Sequence, residues 1–198
     1  MSGANPPATG ILGGTFDPVH RGHVAVARQA REQLGLERVL LIPSFQPPHR
    51  DVPLAGAADR LAMTRLAVEG EAGLEVDDRE VRRGGTSFTV ETLRELRDQD
   101  LGELVLLLGD DAAAEFGTWR EHAAIIDMAR LAVFNRAGSV PAAVPGLPPN
   151  TIRLELASPD ISATSVRLGL AAGDDLAAMV APSVLRYIRE RGLYALVD

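Results

Sequence analysis

Gly13-Gly14-Thr15-Phe16-Asp17-Pro18-Val19-His20-Arg21-Gly22-His23 is the stretch around which the chain is organised. Two glycines follow the short apolar run Ile11-Leu12, an Asp-Pro step follows them, and two histidines three residues apart open a segment with helical apolar spacing. Glycine lets the backbone turn sharply and lets a ligand approach where a Cβ would intrude. Asp-Pro favours a turn and discourages helix before the proline. Residues at i and i+3 share a helix face, so His20 and His23 are placed to point at one object. A first helical turn adds free N–H groups and the positive end of the dipole, which suits a phosphate chain. Any one of these features alone reads as an ordinary turn or a polar surface. Together they read as a phosphate site.

The 198 residues suffice for one domain with a proper core, and the composition is globular: 46% hydrophobic, 24% charged, 4% aromatic. No apolar run approaches the roughly 18 residues of a membrane span. Residues 1–9 lack the basic start and apolar centre of a secretory signal and read as a disordered tail ahead of a single domain, 10–198. The absence of cysteine excludes disulfides, thiolate nucleophiles and zinc–thiolate sites, and a cytoplasmic setting is the simplest expectation. A net charge of −7 argues against a nucleic-acid surface, so an anionic ligand must be held by a few local groups. Every basic residue apart from histidine is arginine, whose planar fork grips phosphate with a charge that does not titrate.

Outward from the opening stretch, Ile11 and Leu12 read as a first strand and 20–34 as the helix after it. The continuous apolar runs 38–43 and 104–108 read as strands buried on both faces. Segment 74–78 reads as a weaker strand, and 130–135 and 152–156 as two more. Helices are expected over 60–68 with Asp59 as cap, from Thr86 or Ser87 onward, over the alanine-rich 171–181, and over 183–191. Strands alternating with helices predict a βαβ arrangement around a parallel sheet, with ligands beyond the carboxyl ends of its strands.

Further chemistry-bearing segments each follow one of these strands. Pro47-Pro48-His49-Arg50 is a stiff turn carrying a cation. Gly84-Gly85-Thr86-Ser87-Phe88-Thr89 is a tight turn opening a helix, whose N–H groups could hold a carboxylate. The strand at 104–108 ends in Gly109-Asp110-Asp111, with Trp119 and Arg120 a short distance on, and Asn135-Arg136-Ala137-Gly138 follows the next strand. In Ile161-Ser162-Ala163-Thr164-Ser165-Val166-Arg167 an N-cap hydroxyl, a helix N-terminus and a guanidinium could converge on one phosphate.

The opening stretch resembles the H-x-G-H signature of the nucleotidyltransferase superfamily, and 161–167 resembles its second signature, Ile-Ser-x-Thr-x-x-Arg. The remaining segments are similar to those of the nicotinate mononucleotide adenylyltransferases, and the resemblance runs from Gly13 to Tyr194. Phe88 stands where that family has tyrosine, Arg50 where it has lysine, and Ala137 where it has proline. The resemblance implies a Rossmann-like, doubly wound parallel α/β sheet with a small C-terminal helical segment. It implies His20, His23 and Arg167 as catalytic residues, with Gly13, Gly14, Thr15, Phe16, Arg50, Asp111, Ser162 and Thr164 on ATP. Thr86, Ser87, Trp119, Arg120 and Arg136 would hold the pyridine nucleotide. The implied reaction joins ATP and nicotinate mononucleotide, with Mg2+ carried by ATP and no protein-bound metal. Small-molecule substrates are the expected partners, rather than nucleic acid or membrane, and there is room for a homo-oligomer. The alternatives are a same-fold adenylyl- or cytidylyltransferase acting on nicotinamide mononucleotide or phosphopantetheine, and a non-catalytic nucleotide-binding protein.

Overall fold

The computed structural model describes residues 7–48, 51–135, 146–157 and 159–195. Six strands form one parallel sheet in the order β3-β2-β1-β4-β5-β6. They are β1 (Ala8–Gly14), β2 (Arg38–Pro43), β3 (Leu74–Val76), β4 (Glu103–Gly109), β5 (Arg130–Phe134) and β6 (Ile152–Leu154). The helices are α1 (Arg21–Leu34), α2 (Ala57–Val68), α3 (Arg79–Arg83), α4 (Thr89–Arg97), α5 (Asp110–Ala114), α6 (His122–Met128), α7 (Ala163–Ala172) and α8 (Pro182–Arg191), with a 3-10 turn at Phe116–Thr118. This is the doubly wound Rossmann-like arrangement that the alternating pattern and the resemblance imply.

The strands lack polar alternation because both faces of the sheet are covered. Successive residues of a strand point to opposite faces. Leu12, Val39, Leu41, Val105, Leu107, Ala132 and Phe134 therefore pack on one side, with α1, α2, α7 and α8. Their neighbours Ile11, Leu40, Ile42, Leu104, Leu106, Leu108, Leu131 and Val133 pack on the other, with α4 and α6. The chain reverses direction of winding between β1 and β4, and ligands in such sheets bind outside the carboxyl ends of the strands at that point.

Several boundaries depart from the sequence reading. β1 starts at Ala8, because Ala8 and Thr9 pair with Glu103 and Leu104 of β4. α2 starts at Ala57 with Gly56 at its N-cap, and Asp59 instead accepts hydrogen bonds from Tyr187 Oη at 2.9 Å and Arg191 Nε at 3.2 Å on α8. Of the alanine-rich 171–181 only the first two residues are helical. Gly173, with φ 76°, closes α7 in the left-handed conformation that glycine adopts without strain.

Candidate active site

β1 delivers the opening stretch to the carboxyl edge of the sheet. Gly13 and Gly14 remain in the strand, opposite Ile42 and Pro43, and the left-handed residue of the turn is Phe16, with φ 50°. A bulky side chain in that region is strained, and such strain persists where the surroundings over-determine it. Gly14 is needed because a Cβ there would lie 2.9 Å from the Phe16 ring, whereas a Cβ at Gly13 would meet nothing within 4 Å among the described residues.

His20 is the N-cap of α1 and is 4% exposed. Its backbone N–H donates to His23 Nδ1 at 3.2 Å, which leaves Nε2 to carry the proton of the neutral His23 ring. The two imidazoles stack with centroids 3.7 Å apart, and the Phe16 ring meets His23 edge-on at 5.0 Å. Gly22 lets the His20 ring lie flat on the helix: a Cβ there would stand 3.0 Å from His20 Nδ1. The histidines face a small pocket lined also by Leu12, Val26, Phe134 and Ile161.

The Asp17 side chain faces inward, 7% exposed, and accepts from Leu54 N (2.8 Å), Ala55 N (3.0 Å) and Tyr194 Oη (2.7 Å). Burial, with the bond to Asp17, pushes the Tyr194 hydroxyl far above the usual tyrosine range. Arg167 Nη1 donates to the Asp17 carbonyl at 2.7 Å, which brings the second signature to the first. Arg167 Nη2 meets Thr164 Oγ1 at 3.2 Å. Ser162 is the N-cap of α7, its hydroxyl accepting from Ser165 N at 3.0 Å, as its position in the sequence predicts.

In the turn before α4, Thr86 is exposed and Ser87 is buried. The helix of this segment begins at Thr89, with Phe88 at its N-cap, because Thr86 and Ser87 are engaged elsewhere. Thr86 bridges Gln46, Ser87 N–H donates to Gln46 O at 2.8 Å, and Ser87 Oγ accepts from Phe45 N at 2.9 Å. Beside this turn Glu80 is a buried carboxylate that accepts from Thr92 Oγ1 at 2.6 Å. Burial raises the Glu80 carboxyl above the usual range, against the pull of the Thr92 and Ser87 hydroxyls and of Arg83. The loops after β2 and α3 are thus laced together from below.

Asp110 and Asp111 are the first two residues of α5, behind Gly109 at the N-cap, and Asp111 is exposed. Trp119 is half-buried against Phe116, with centroids 5.6 Å apart. Arg120 lies over the Phe88 ring at 4.7 Å and bonds Glu91 at 3.0 Å, so the aromatic ring at position 88 serves as a platform for a cation. Arg50 and Arg136 lie outside the described residues. Among the described residues no group of three or more His, Asp or Glu side chains is placed to hold a metal ion, and no helix is long and apolar enough to cross a membrane.

Four residues of this framework escape a reading of the sequence: Asp17 as more than a turn former, Arg60, Glu80 and Tyr194. Arg60 left a trace, since helical spacing puts it on the face of Thr64 and Val68, both buried. A charge on a buried face asks for partners.

A family model described as cytidylyltransferase-like matches residues 11–169. A relative from Chromobacterium violaceum, named probable nicotinate-nucleotide adenylyltransferase, is 42% identical over 206 aligned residues, covering 93% of this chain and 97% of its own. A relative of the same name from Laribacter hongkongensis is 43% identical, covering 94% of each chain. Among solved structures, the fold is similar to a Plasmodium falciparum nicotinic acid mononucleotide adenylyltransferase complexed with NaAD. The TM-score is 0.79 at 15% identity, over 95% of this chain and 97% of that one.

Proposed function

Because the chain belongs to the cytidylyltransferase-like family, we propose that it is a nicotinate-nucleotide adenylyltransferase, a transferase of NAD biosynthesis. It joins ATP and nicotinate mononucleotide to give nicotinate adenine dinucleotide and pyrophosphate. The observation that carries the chemistry is the stacked His20–His23 pair at the mouth of α1, tied through Asp17 to Arg167 of the second signature. The likeness to relatives of that name, over 93% and 94% of this chain, carries the acceptor.

Nucleotidyl transfer needs alignment and charge stabilisation more than covalent chemistry. An oxygen of the mononucleotide's 5′-phosphate attacks the α-phosphorus of ATP in line. One P–O bond forms, the bond from the α-phosphorus to the bridging oxygen breaks, and the electron pair leaves with pyrophosphate. His23, held at Nδ1, presents Nε2–H to the transferring phosphate beside His20. Gly13, Gly14, Thr15 and Phe16 line the phosphate turn, and Arg167, Ser162 and Thr164 take the pyrophosphate end. Asp111 lies on the adenosine side, with Arg50 as a further phosphate contact. Thr86, Ser87, Trp119, Arg120 and Arg136 form the pyridine-nucleotide side. Magnesium enters with the substrate, on the ATP phosphates. The setting is cytoplasmic.

Pyrophosphate release from ATP with nicotinate mononucleotide, nicotinamide mononucleotide and phosphopantetheine tests the reading. The nicotinate compound is the expected best acceptor. Equal or faster release with phosphopantetheine would reassign the acceptor, and ATP binding without any release would reassign the protein to the nucleotide binders.

A further inference from the structure

Arg60 is 1% exposed, and among the described residues its guanidinium makes four hydrogen bonds, all to main-chain carbonyls. Nε donates to Ala55 O at 3.1 Å, Nη1 to Thr15 O at 2.7 Å and to Ser44 O at 2.6 Å, and Nη2 to Phe45 O at 2.8 Å. These oxygens belong to three segments: the turn after β1, the loop after β2 and the lead into α2. The first two meet at the guanidinium, with Thr15 O and Ser44 O bonded to the same nitrogen. Thr15 lies in the phosphate turn, and Phe45 is held through its N–H by Ser87, on the acceptor side.

Stability alone does not call for a guanidinium here. A buried cation loses its hydration, and an apolar side chain of like volume often serves a fold as well or better. Burial does depress the Arg60 guanidinium below the usual arginine range, against the attraction of Asp17. What an apolar group cannot do is bridge Thr15 O and Ser44 O with one nitrogen while reaching Phe45 O with the next. The rigid fork fixes the separation of these carbonyls.

We propose that Arg60 is a positioning residue for adenylyl transfer, its guanidinium setting the distance between the phosphate turn after β1 and the acceptor-side loop after β2. The inference rests on the adenylyltransferase reading above. In-line attack demands that the two substrate phosphates be aligned, and misplacement by about 1 Å lowers the rate by roughly 100-fold. Lysine at this position keeps the charge and loses the fork, so Arg60→Lys separates geometry from electrostatics.

The test measures pyrophosphate release by the full chain as wild type, Arg60→Lys and Arg60→Ala, with amide exchange at Ser44, Phe45 and Ser87. Arg60→Lys is expected to lower kcat per folded molecule by about 30- to 100-fold while KM for each substrate moves by less than about threefold. Exchange rises at those three amides and not in β4. Guanidinium ion at millimolar concentration restores Arg60→Ala saturably, and equal sodium chloride does not. A purely structural role would lower the folded fraction and leave kcat per folded molecule alone. Wild-type kcat in Arg60→Lys overturns the proposal. So does an Arg60→Ala defect that follows the folded fraction and ignores guanidinium. If Arg60→Ala does not fold, kcat and exchange of Arg60→Lys decide. If the wild type releases no pyrophosphate, the reaction assignment falls, and exchange in Arg60→Lys still decides whether Arg60 braces the two loops.

Discussion

Asp17→Asn should destabilise the protein far more than a surface turn residue would. The carboxylate uses both oxygens: Oδ2 accepts from Leu54 N, and Oδ1 from Ala55 N and Tyr194 Oη. Asparagine has one acceptor oxygen. Placed at Oδ1, it leaves its NH2 facing the Leu54 N–H, donor against donor. A hydrogen bond to a charged group contributes about 1.5–3 kcal/mol, so losing one and weakening two others costs about 3 kcal/mol. At this chain length that is a fall in Tm of about 6–12 °C. Urea unfolding, followed by far-UV circular dichroism and by the fluorescence of the single tryptophan, Trp119, measures it. Tyr194→Phe removes one arm alone, and the double variant closes a cycle whose coupling energy should exceed about 1 kcal/mol, since contacting residues couple and distant ones do not. If Asp17→Asn stays within about 0.5 kcal/mol of wild type, as surface substitutions do, Asp17 is not the anchor described. Additivity in the cycle would refute the Asp17–Tyr194 bond specifically.

Two further outcomes follow from the site. His23→Ala should reduce turnover by roughly two to four orders of magnitude with an unchanged circular dichroism spectrum, the range for losing a preorganised charge-stabilising group, and near-normal turnover would sink the catalytic assignment. Glu80→Gln tests linkage. The folded-state value of Glu80 is raised, so the folded chain holds its proton more tightly than the unfolded chain, and wild-type stability falls as pH rises through the interval above the ordinary glutamate value. Glutamine cannot titrate, so urea midpoints from pH 4 to pH 8 should shift in favour of the variant, relative to wild type, as pH rises. A constant difference would show that burial does not perturb Glu80.

Sequence by itself determined the features whose causes are local. Continuous apolar runs marked β2 and β4 to within a residue, because strands covered on both faces alternate between two apolar cores. The i, i+3 spacing put His20 and His23 together, and the Ser162 cap set the start of α7, because both depend on residues within one helical turn. Short helices such as α3, α5 and α6 left little trace, each too brief for a period to show. The loop lacing was illegible for another reason. Asp17 meets Tyr194 across 177 positions and Arg60 meets Thr15 across 45, and Arg60 binds carbonyl oxygens, which every residue carries and no residue type announces. The glycines show the same division. Sequence gives two small residues before a turn, and only the packed structure decides that Phe16 makes the left-handed turn while Gly14 clears space for its ring. A hydrogen bond between distant segments exists only once the sheet has brought them together, so its partners become readable only in three dimensions.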